Sequence, residues 1–145
     1  LNLKTSELDS GVITTSKNNN SEKVIIISTG SMAHEVEKIS SYLKKNKVLN
    51  SSAYIFCIKP LNKKKILKII KGKKKIITLE EQHIDGGIGS QICEIVAEEN
   101  LNIAVKRYGI RDFYSQRYGD RNWLRKIYKL DTDYLKKNIL KWIKK

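Results

Sequence analysis

Little in this sequence would kink, staple or thread the chain. Proline occurs once, at Pro60, so helices and strands can run without internal breaks. Cysteine occurs twice, at Cys57 and Cys93. Two thiols cannot build a disulfide framework. With no CxxC pair and no histidine pair at ligand spacing, a structural zinc site is excluded. Both cysteines fall in apolar-periodic segments and are expected to be buried, reduced thiols. No apolar run approaches the ~18 residues of a membrane span, and Leu1-Asn2-Leu3-Lys4 opens no charged-then-apolar leader pattern. These features point to a cytoplasmic protein with no membrane partner. A start without methionine is what a piece of a longer protein would show.

Acidic residues are also scarce, 15 against 29 Lys and Arg, for a net charge of +14. Only five of the basic residues are arginine. The rest are lysine, a solvated point charge without the planar fork that reads bases and phosphates. The densest stretch, Lys59 to Lys75, holds nine lysines in seventeen positions. Ile66, Leu67, Ile69 and Ile70 interrupt it at helical spacing, so it reads as the wet side of an amphipathic helix. A patch for nucleic acid or an anionic surface is the rival reading, though nucleic acid is not the expected partner.

What is present is enough for one domain. A chain of 145 residues that is 40% apolar can bury a core without staples. Residues 1–23 read as a flexible lead-in with an edge strand at 11–15, and Asn18-Asn19-Asn20 as a turn. Residues 24–145 read as a single domain. Val24-Ile25-Ile26-Ile27-Ser28 is a continuous β-branched run, the mark of a strand buried on both faces. Ser31 is a plausible N-cap for a helix with Met32, Val36, Ile39 and Leu43 on one stripe. Strand 53–57 follows, then helix 62–71 stopped by Gly72, strand 75–79, helix 87–100 and strand 102–106. Beyond Tyr108-Gly109 comes an aromatic connector with Phe113, Tyr114, Tyr118, Trp123 and Tyr128. A last helix from about Thr132 turns Leu135, Ile139 and Trp142 inward. The alternation predicts an α/β sandwich with helices on both faces of the sheet.

Three constellations could carry chemistry. Thr29, Gly30 and Ser31 follow the central strand and form a possible anion seat. Gly86, Gly87 and Gly89 precede a helix whose free N–H groups could hold a phosphate. The dinucleotide spacing fails, because Ile92 stands where the third glycine belongs, so close backbone approach is the simpler reason for the glycines. Glu80, Glu81, His83 and Asp85 crowd one loop. Paired carboxylates suit acid/base work, but neighbouring residues of a strand point to opposite faces, so Glu80 and Glu81 are not expected to share a site. Glu80 and His83 lack a third and fourth metal ligand. No G-x-S-x-G elbow and no P-loop occurs. Arg107 to Phe113 (with Arg111 and Asp112) and Arg117 to Arg121 interleave arginine with aromatics, which suits a protein interface better than nucleic acid.

Taken in order, these pieces resemble the C-terminal domain of the transketolase family of thiamine-diphosphate enzymes. Val24 to Ser31 is similar to its first buried strand and turn, and Ile58-Lys59-Pro60-Leu61 to its K-P-L/D step. Leu79-Glu80-Glu81-Gln82-His83 with Gly86-Gly87-Ile88-Gly89-Ser90 is similar to its E-E/D-H…G-G-x-G-S signature. Tyr108 to Phe113 is similar to its G-x-x-D-x-F step. Lys129-Leu130-Asp131 is similar to its closing G-L-D, with Lys129 where glycine is usual. The resemblance implies a three-layer αβα fold with a mixed five-stranded sheet in order 1-3-2-4-5, strand 1 antiparallel.

It also implies a full enzyme with a diphosphate-binding and a pyrimidine-binding domain or subunit as partners, and a homodimer. Thiamine diphosphate and Mg²⁺ would lie between those two domains. The family's G-D-G…N motif is missing here, since Gly119-Asp120 is followed by Arg121. The cofactor-activating glutamate is not carried either. The resemblance therefore transfers no catalytic, cofactor-binding or metal residue, and the chain alone is expected to bind no cofactor. Thr29, Gly30, Ser31, Glu80, Glu81, His83, Gly86, Gly87, Gly89, Arg111 and Asp112 remain candidates for an interface or anion contact. The implied role is a non-catalytic assembly domain, and the parent reaction is two-carbon ketol transfer between sugar phosphates. A deoxyxylulose-phosphate synthase or a 2-oxoacid dehydrogenase β-subunit is the alternative parent. A basic binding module and a self-contained phosphate-ligand enzyme are the rivals of other classes.

Overall fold

Val24–Ser28 is the hub of the molecule. In the computed structural model, which describes residues 9–14, 21–112 and 117–145, this strand (β2) is buried along its whole length. It pairs in parallel with β3 (Asn50–Ile55) on one side and β4 (Lys75–His83) on the other. β1 (Val12–Thr14) closes one edge antiparallel to β3, and β5 (Ala104–Ile110) closes the other parallel to β4. The sheet order is therefore β1-β3-β2-β4-β5, as the resemblance implied. Thr15, the Asn18-Asn19-Asn20 turn, Phe113 and Tyr114 lie outside the described residues.

Among the described residues five helices cover the sheet: α1 (Ala33–Lys45), α2 (Lys63–Ile70), α3 (Ile88–Glu98), α4 (Arg121–Ile127) and α5 (Thr132–Ile143). Alternation along β2 sorts the core into two layers. Ile25 and Ile27 pack with Ile66, Ile69 and Ile70 of α2 and with Ile88, Ile92 and Ile95 of α3. Val24 and Ile26 pack with Met32, Val36, Ile39 and Leu43 around α1 and with Leu135 and Ile139 of α5. On β4 the same rule sends Ile77 and Leu79 to the α1/α5 layer and Ile76 to the α2/α3 layer. No helix among the described residues is long and apolar enough to cross a membrane.

Three helices end alike. Lys47, Asn100 and Lys129 take positive φ, and the next residue's N–H reaches back five positions: Val48 to Leu43, Leu101 to Val96, Leu130 to Arg125. This is the Schellman close, with an apolar residue folded back onto the helix. Lys129, at φ 59°, occupies a conformation that favours glycine, which is why glycine suits that step of the closing motif.

Several expectations need correction. β3 begins at Asn50, not Ala53. Asn50, Ser51 and Ser52 are buried polar strand residues, and Asn50 Nδ2 donates to the carbonyls of Ser40 and Val48. The strand ends at Ile55, which leaves Phe56 exposed and Cys57 beyond it. β5 runs from Ala104 to Ile110, beyond the expected end at 106, so Arg107 and Tyr108 are sheet residues. The connector contains a helix, α4, capped by Asp120, whose side chain accepts from the N–H groups of Asn122 and Trp123. Ser31 is no N-cap. It lies within a 3-10 turn, Gly30–Met32, that precedes α1. Both cysteines are free, but only half-buried.

Candidate functional site

β4 ends in a bulge between Leu79 and His83, and two consecutive glutamates leave it on opposite faces. They do not crowd a loop, since both belong to the strand. Glu80 points into the α2/α3 layer and is fully buried. Its carboxylate accepts from the N–H of Ile88 at 2.9 Å and of Gly89 at 3.1 Å. The free N–H groups at the start of α3 are thus capped by the chain's own anion, a favourable place for negative charge. Burial pushes the Glu80 carboxyl up, and the N–H groups of Gly89 and Ile88, Gln82 and Arg107 only partly offset it.

The glycines are explained by this close approach. A Cβ on Gly87 would overlap Glu80 Oε2, and one on Gly89 would sit 2.6 Å from Thr78 Oγ1. Arg107 closes the layer, donating to the Ile84 carbonyl at 3.1 Å and to Ser90 Oγ at 2.8 Å.

On the other face Glu81 gathers the elements that follow. Ser31 Oγ donates to it. Arg121 donates through Nε and Nη2, the latter at 2.7 Å. Arg125 donates Nε at 2.7 Å and Nη2 at 3.2 Å. Arg125 also reaches Glu35 at 3.1 Å, and Thr132 donates to the same Glu35. One carboxylate of β4 thereby ties the 3-10 turn and α4 together, and Arg125 extends the tie to α1 and α5. Burial pushes the Glu81 carboxyl up, but Arg121, Arg125 and Ser31 outweigh it and hold the group at about 2. For Glu35, burial is likewise outweighed by Thr132, Lys38 and Arg125, which hold it below the ordinary carboxylate range.

The separation of Glu80 from Glu81 is as expected. Of Thr29, Gly30 and Ser31, it is Ser31 that meets an anion, the chain's own Glu81. His83, Arg111 and Asp112 are exposed and join neither cluster, whereas the exposed Gly86 donates its N–H to Ser90 Oγ at 3.1 Å, the hydroxyl that also accepts from Arg107. Asp85 lies 3.8 Å from Arg107. Sequence reasoning missed Glu35, Arg125 and Thr132. The spacing of Arg121 and Arg125, one helical turn apart, was the available signal once α4 is known to be a helix.

The lysine run is not a uniform patch. Lys73 is buried and donates to the Glu22 carbonyl at 2.9 Å. Lys75 donates to the carbonyls of Trp142 and Ile143, and Lys63 pairs with Glu98 and Glu99.

These residues do not fit thiamine diphosphate or its Mg²⁺. A diphosphate brought to the start of α3 would meet the carboxylate of Glu80, and one brought to the 3-10 turn would meet Glu81. Among the described residues no group of three or more His, Cys, Asp or Glu is placed to hold a metal ion.

Comparison with known proteins agrees with the fold. The family model described as "Transketolase, C-terminal domain" matches residues 14–134. The chain is 31% identical over 111 residues to one of the subunits of the apulose-4-phosphate transketolase of Actinobacillus succinogenes, covering 77% of this chain and 36% of that protein. It is 33% identical over 119 residues to the 1-deoxy-D-xylulose-5-phosphate synthase of Clostridium tetani, covering 82% of this chain and 19% of the relative. It is 33% identical over 124 residues to a putative transketolase C-terminal section of Methanocaldococcus jannaschii, covering 86% and 38%. The chain thus spans well under half the length of these relatives. A solved split gene transketolase, described as an inactive beta4 tetramer, superposes with a TM-score of 0.73 at 21% identity, over 83% of this chain and 39% of that one.

Proposed function

The chain belongs to the transketolase C-terminal domain family, and from that premise we propose that it is the non-catalytic assembly domain of a thiamine-diphosphate-dependent, transketolase-like enzyme. The parent reaction in this reading is transfer of a two-carbon ketol unit between sugar phosphates. The cofactor and Mg²⁺ are held by partner pyrimidine-binding and diphosphate-binding domains or subunits, and the domain extends a dimer contact. Relatives named as deoxyxylulose-phosphate synthases keep that reaction as the alternative parent.

One observation carries the reading. At the sheet's C-terminal end, where α/β sheets ordinarily take their ligands, both anion positions are filled by the chain's own carboxylates. Beside them stands α4, a helix that buries none of its residues. Its Trp123 and Ile127, with Tyr118 just before it at 94% exposed, turn apolar surface outward. Aromatic and aliphatic side chains displayed around an arginine cluster are the composition of an interface core. Exposed on a bracing helix, they suit subunit contact better than substrate.

Calorimetry of the chain with thiamine diphosphate and Mg²⁺ tests the absence of a cofactor site. No saturable heat is expected, and tight binding by the chain alone refutes the reading. Mixing the chain with the cofactor-binding parts of its enzyme should give a complex by sedimentation. Trp123→Ala with Ile127→Glu should dissociate that complex while leaving the chain's melting temperature within a few degrees. A complex unaffected by the double variant removes α4 as the contact.

A further inference from the structure

At the opposite end of the sheet, the lysine-dense run meets an apolar hollow. The end of α2, residues 71–74 and the α3–β5 connector surround a cavity of about 410 Å³. Leu67, Leu101 and Ile103 wall it, each half-buried against the core, with Ile70 beneath them. The walls are fixed by backbone bonds. Leu101 N–H closes the Schellman turn on Val96, Ile103 N–H donates to Leu101 at 2.9 Å, and Ala104 N–H to Lys74 at 3.0 Å. Lys73 N–H donates to Ile70 at 3.0 Å and Lys74 N–H to Lys23 at 2.8 Å. A hollow built this way is formed before any ligand arrives, which lowers the ordering cost of binding.

Three lysines line it. The Lys73 ammonium is committed, donating to the Glu22 carbonyl and lying 3.9 Å from the Glu22 carboxylate. Lys71 and Lys74 are exposed, and among the described residues neither forms an ion pair. Among the described residues no acidic side chain lines the cavity. The site is apolar inside and cationic at its mouth, within the ~300–1,000 Å³ of small-molecule pockets.

We propose that this hollow binds a small amphipathic anion. The apolar body lies against Leu67, Leu101 and Ile103, and the carboxylate, sulfonate or phosphate head meets Lys71 and Lys74. Size favours a small molecule, and the uncompensated ammonium groups favour an anion over a neutral apolar ligand. The proposal is independent of the assembly role, because the hollow and α4 lie at opposite ends of the strands.

The test titrates the full chain with the fluorescent anion 8-anilinonaphthalene-1-sulfonate and displaces it with hexanoate, octanoate and decanoate below their micelle concentrations. Binding should tighten roughly three- to fourfold per added methylene, the gain for a CH₂ leaving water. Lys71→Glu with Lys74→Glu should weaken decanoate roughly tenfold, reversing two ion pairs of ordinary surface strength. Lys44→Glu with Lys141→Glu, the same charge change on the far layer, should leave it within twofold. Leu101→Trp should fill the hollow and abolish binding. Leu67→Trp does the same from α2 without touching the Schellman turn, so a folding defect in one variant leaves the other to decide. Decyltrimethylammonium should not compete. No saturable decanoate binding, no dependence on chain length, or equal weakening by the two lysine pairs overturns the proposal.

Discussion

Replacing Glu81 by glutamine should release α4 without unfolding the sheet. The helix itself offers the core no buried residue, so apart from its Schellman close on buried Leu130 its position depends on Arg121 and Arg125 reaching Glu81. Glutamine has nearly the shape of the carboxyl and none of its charge, so it approximates the protonated group. The carboxyl lies at about 2 in the folded chain against an ordinary 4.5, a difference worth roughly 3 kcal/mol at neutral pH. The Glu81 side chain is only 23% exposed, but Arg121 is 61% exposed. Solvent screens that partner, and about 2–3 kcal/mol is the expected loss. Arg125 keeps Glu35 at 3.1 Å, which confines the damage.

If the loss is local, amide exchange in residues 121–127 should accelerate roughly 30- to 160-fold at neutral pH, while β2 and β4 exchange at their original rates. The sign of the pH dependence follows from the lowered carboxyl. Its stabilisation is complete above pH 4.5 and is lost as pH falls towards 2. The difference between wild type and Glu81→Gln, read from Trp123 fluorescence with Trp142→Phe in both proteins, should therefore vanish across that window. Unchanged exchange in 121–127, or equal acceleration through β2 and β4, refutes the view that α4 hangs on this carboxylate.

Glu80→Ala should cost about 3–5 kcal/mol in urea unfolding, because two N–H groups at the start of α3 lose their acceptor and a filled position empties. Glu80→Gln should cost less and should flatten a decline in stability above pH 4.5. That decline is expected because a raised carboxyl favours folding while protonated and loses the advantage as pH climbs through its folded value. Gly87→Ala should cost about 2–3 kcal/mol, since its methyl overlaps Glu80 Oε2, and much of that should disappear in the Glu80→Ala background, where the clash is gone. Lys129→Gly should be more stable than Lys129→Ala by about 1 kcal/mol in urea unfolding. Both lose the ammonium's contact with the Tyr134 ring, so the comparison isolates the left-handed backbone.

Strands and helices that keep an apolar rhythm could be read from the chain. Val24 to Ile27 announce a central strand, and Met32, Val36, Ile39 and Leu43 announce the inner stripe of α1. All of them are buried. The sheet order was legible only through resemblance, because nothing local in Val12–Thr14 says that it runs antiparallel to β3. Asn50, Ser51 and Ser52 hid the start of β3, since polar strand residues look like loop until their hydrogen-bond partners are known. α4 was hidden for a related reason. It is positioned by charge, not by an apolar face, and the one-turn spacing of Arg121 and Arg125 is too short a pattern to announce a helix without its partner Glu81. Glu81 and Arg125 are 44 residues apart, and Glu35 and Thr132 are 97 apart, so their meeting depends on the finished topology.

The adjacency of Glu80 and Glu81 is what turns a ligand-binding geometry into a bracing one. A single acidic residue at the end of β4 would serve one layer and leave the other's N–H or arginine groups open to an external anion. Two in succession, on a strand whose side chains alternate, supply one anion to each layer. The first caps α3 in a pocket so tight that Gly87 has no room for a methyl. The second draws two arginines together in a geometry a phosphate would otherwise occupy. Moving either glutamate by one position would place both carboxylates in one layer, where like charges repel, and leave the opposite layer cationic. Glu81→Gln therefore does more than loosen α4, because it leaves Arg121 without an anion and Arg125 with Glu35 alone. That variant alone should gain weak, salt-sensitive binding of inorganic phosphate at Arg121 and Arg125, visible by calorimetry or by phosphate-dependent protection of residues 121–127 from exchange. Phosphate affinity equal to that of wild type would show that the carboxylate was never holding an anion's place.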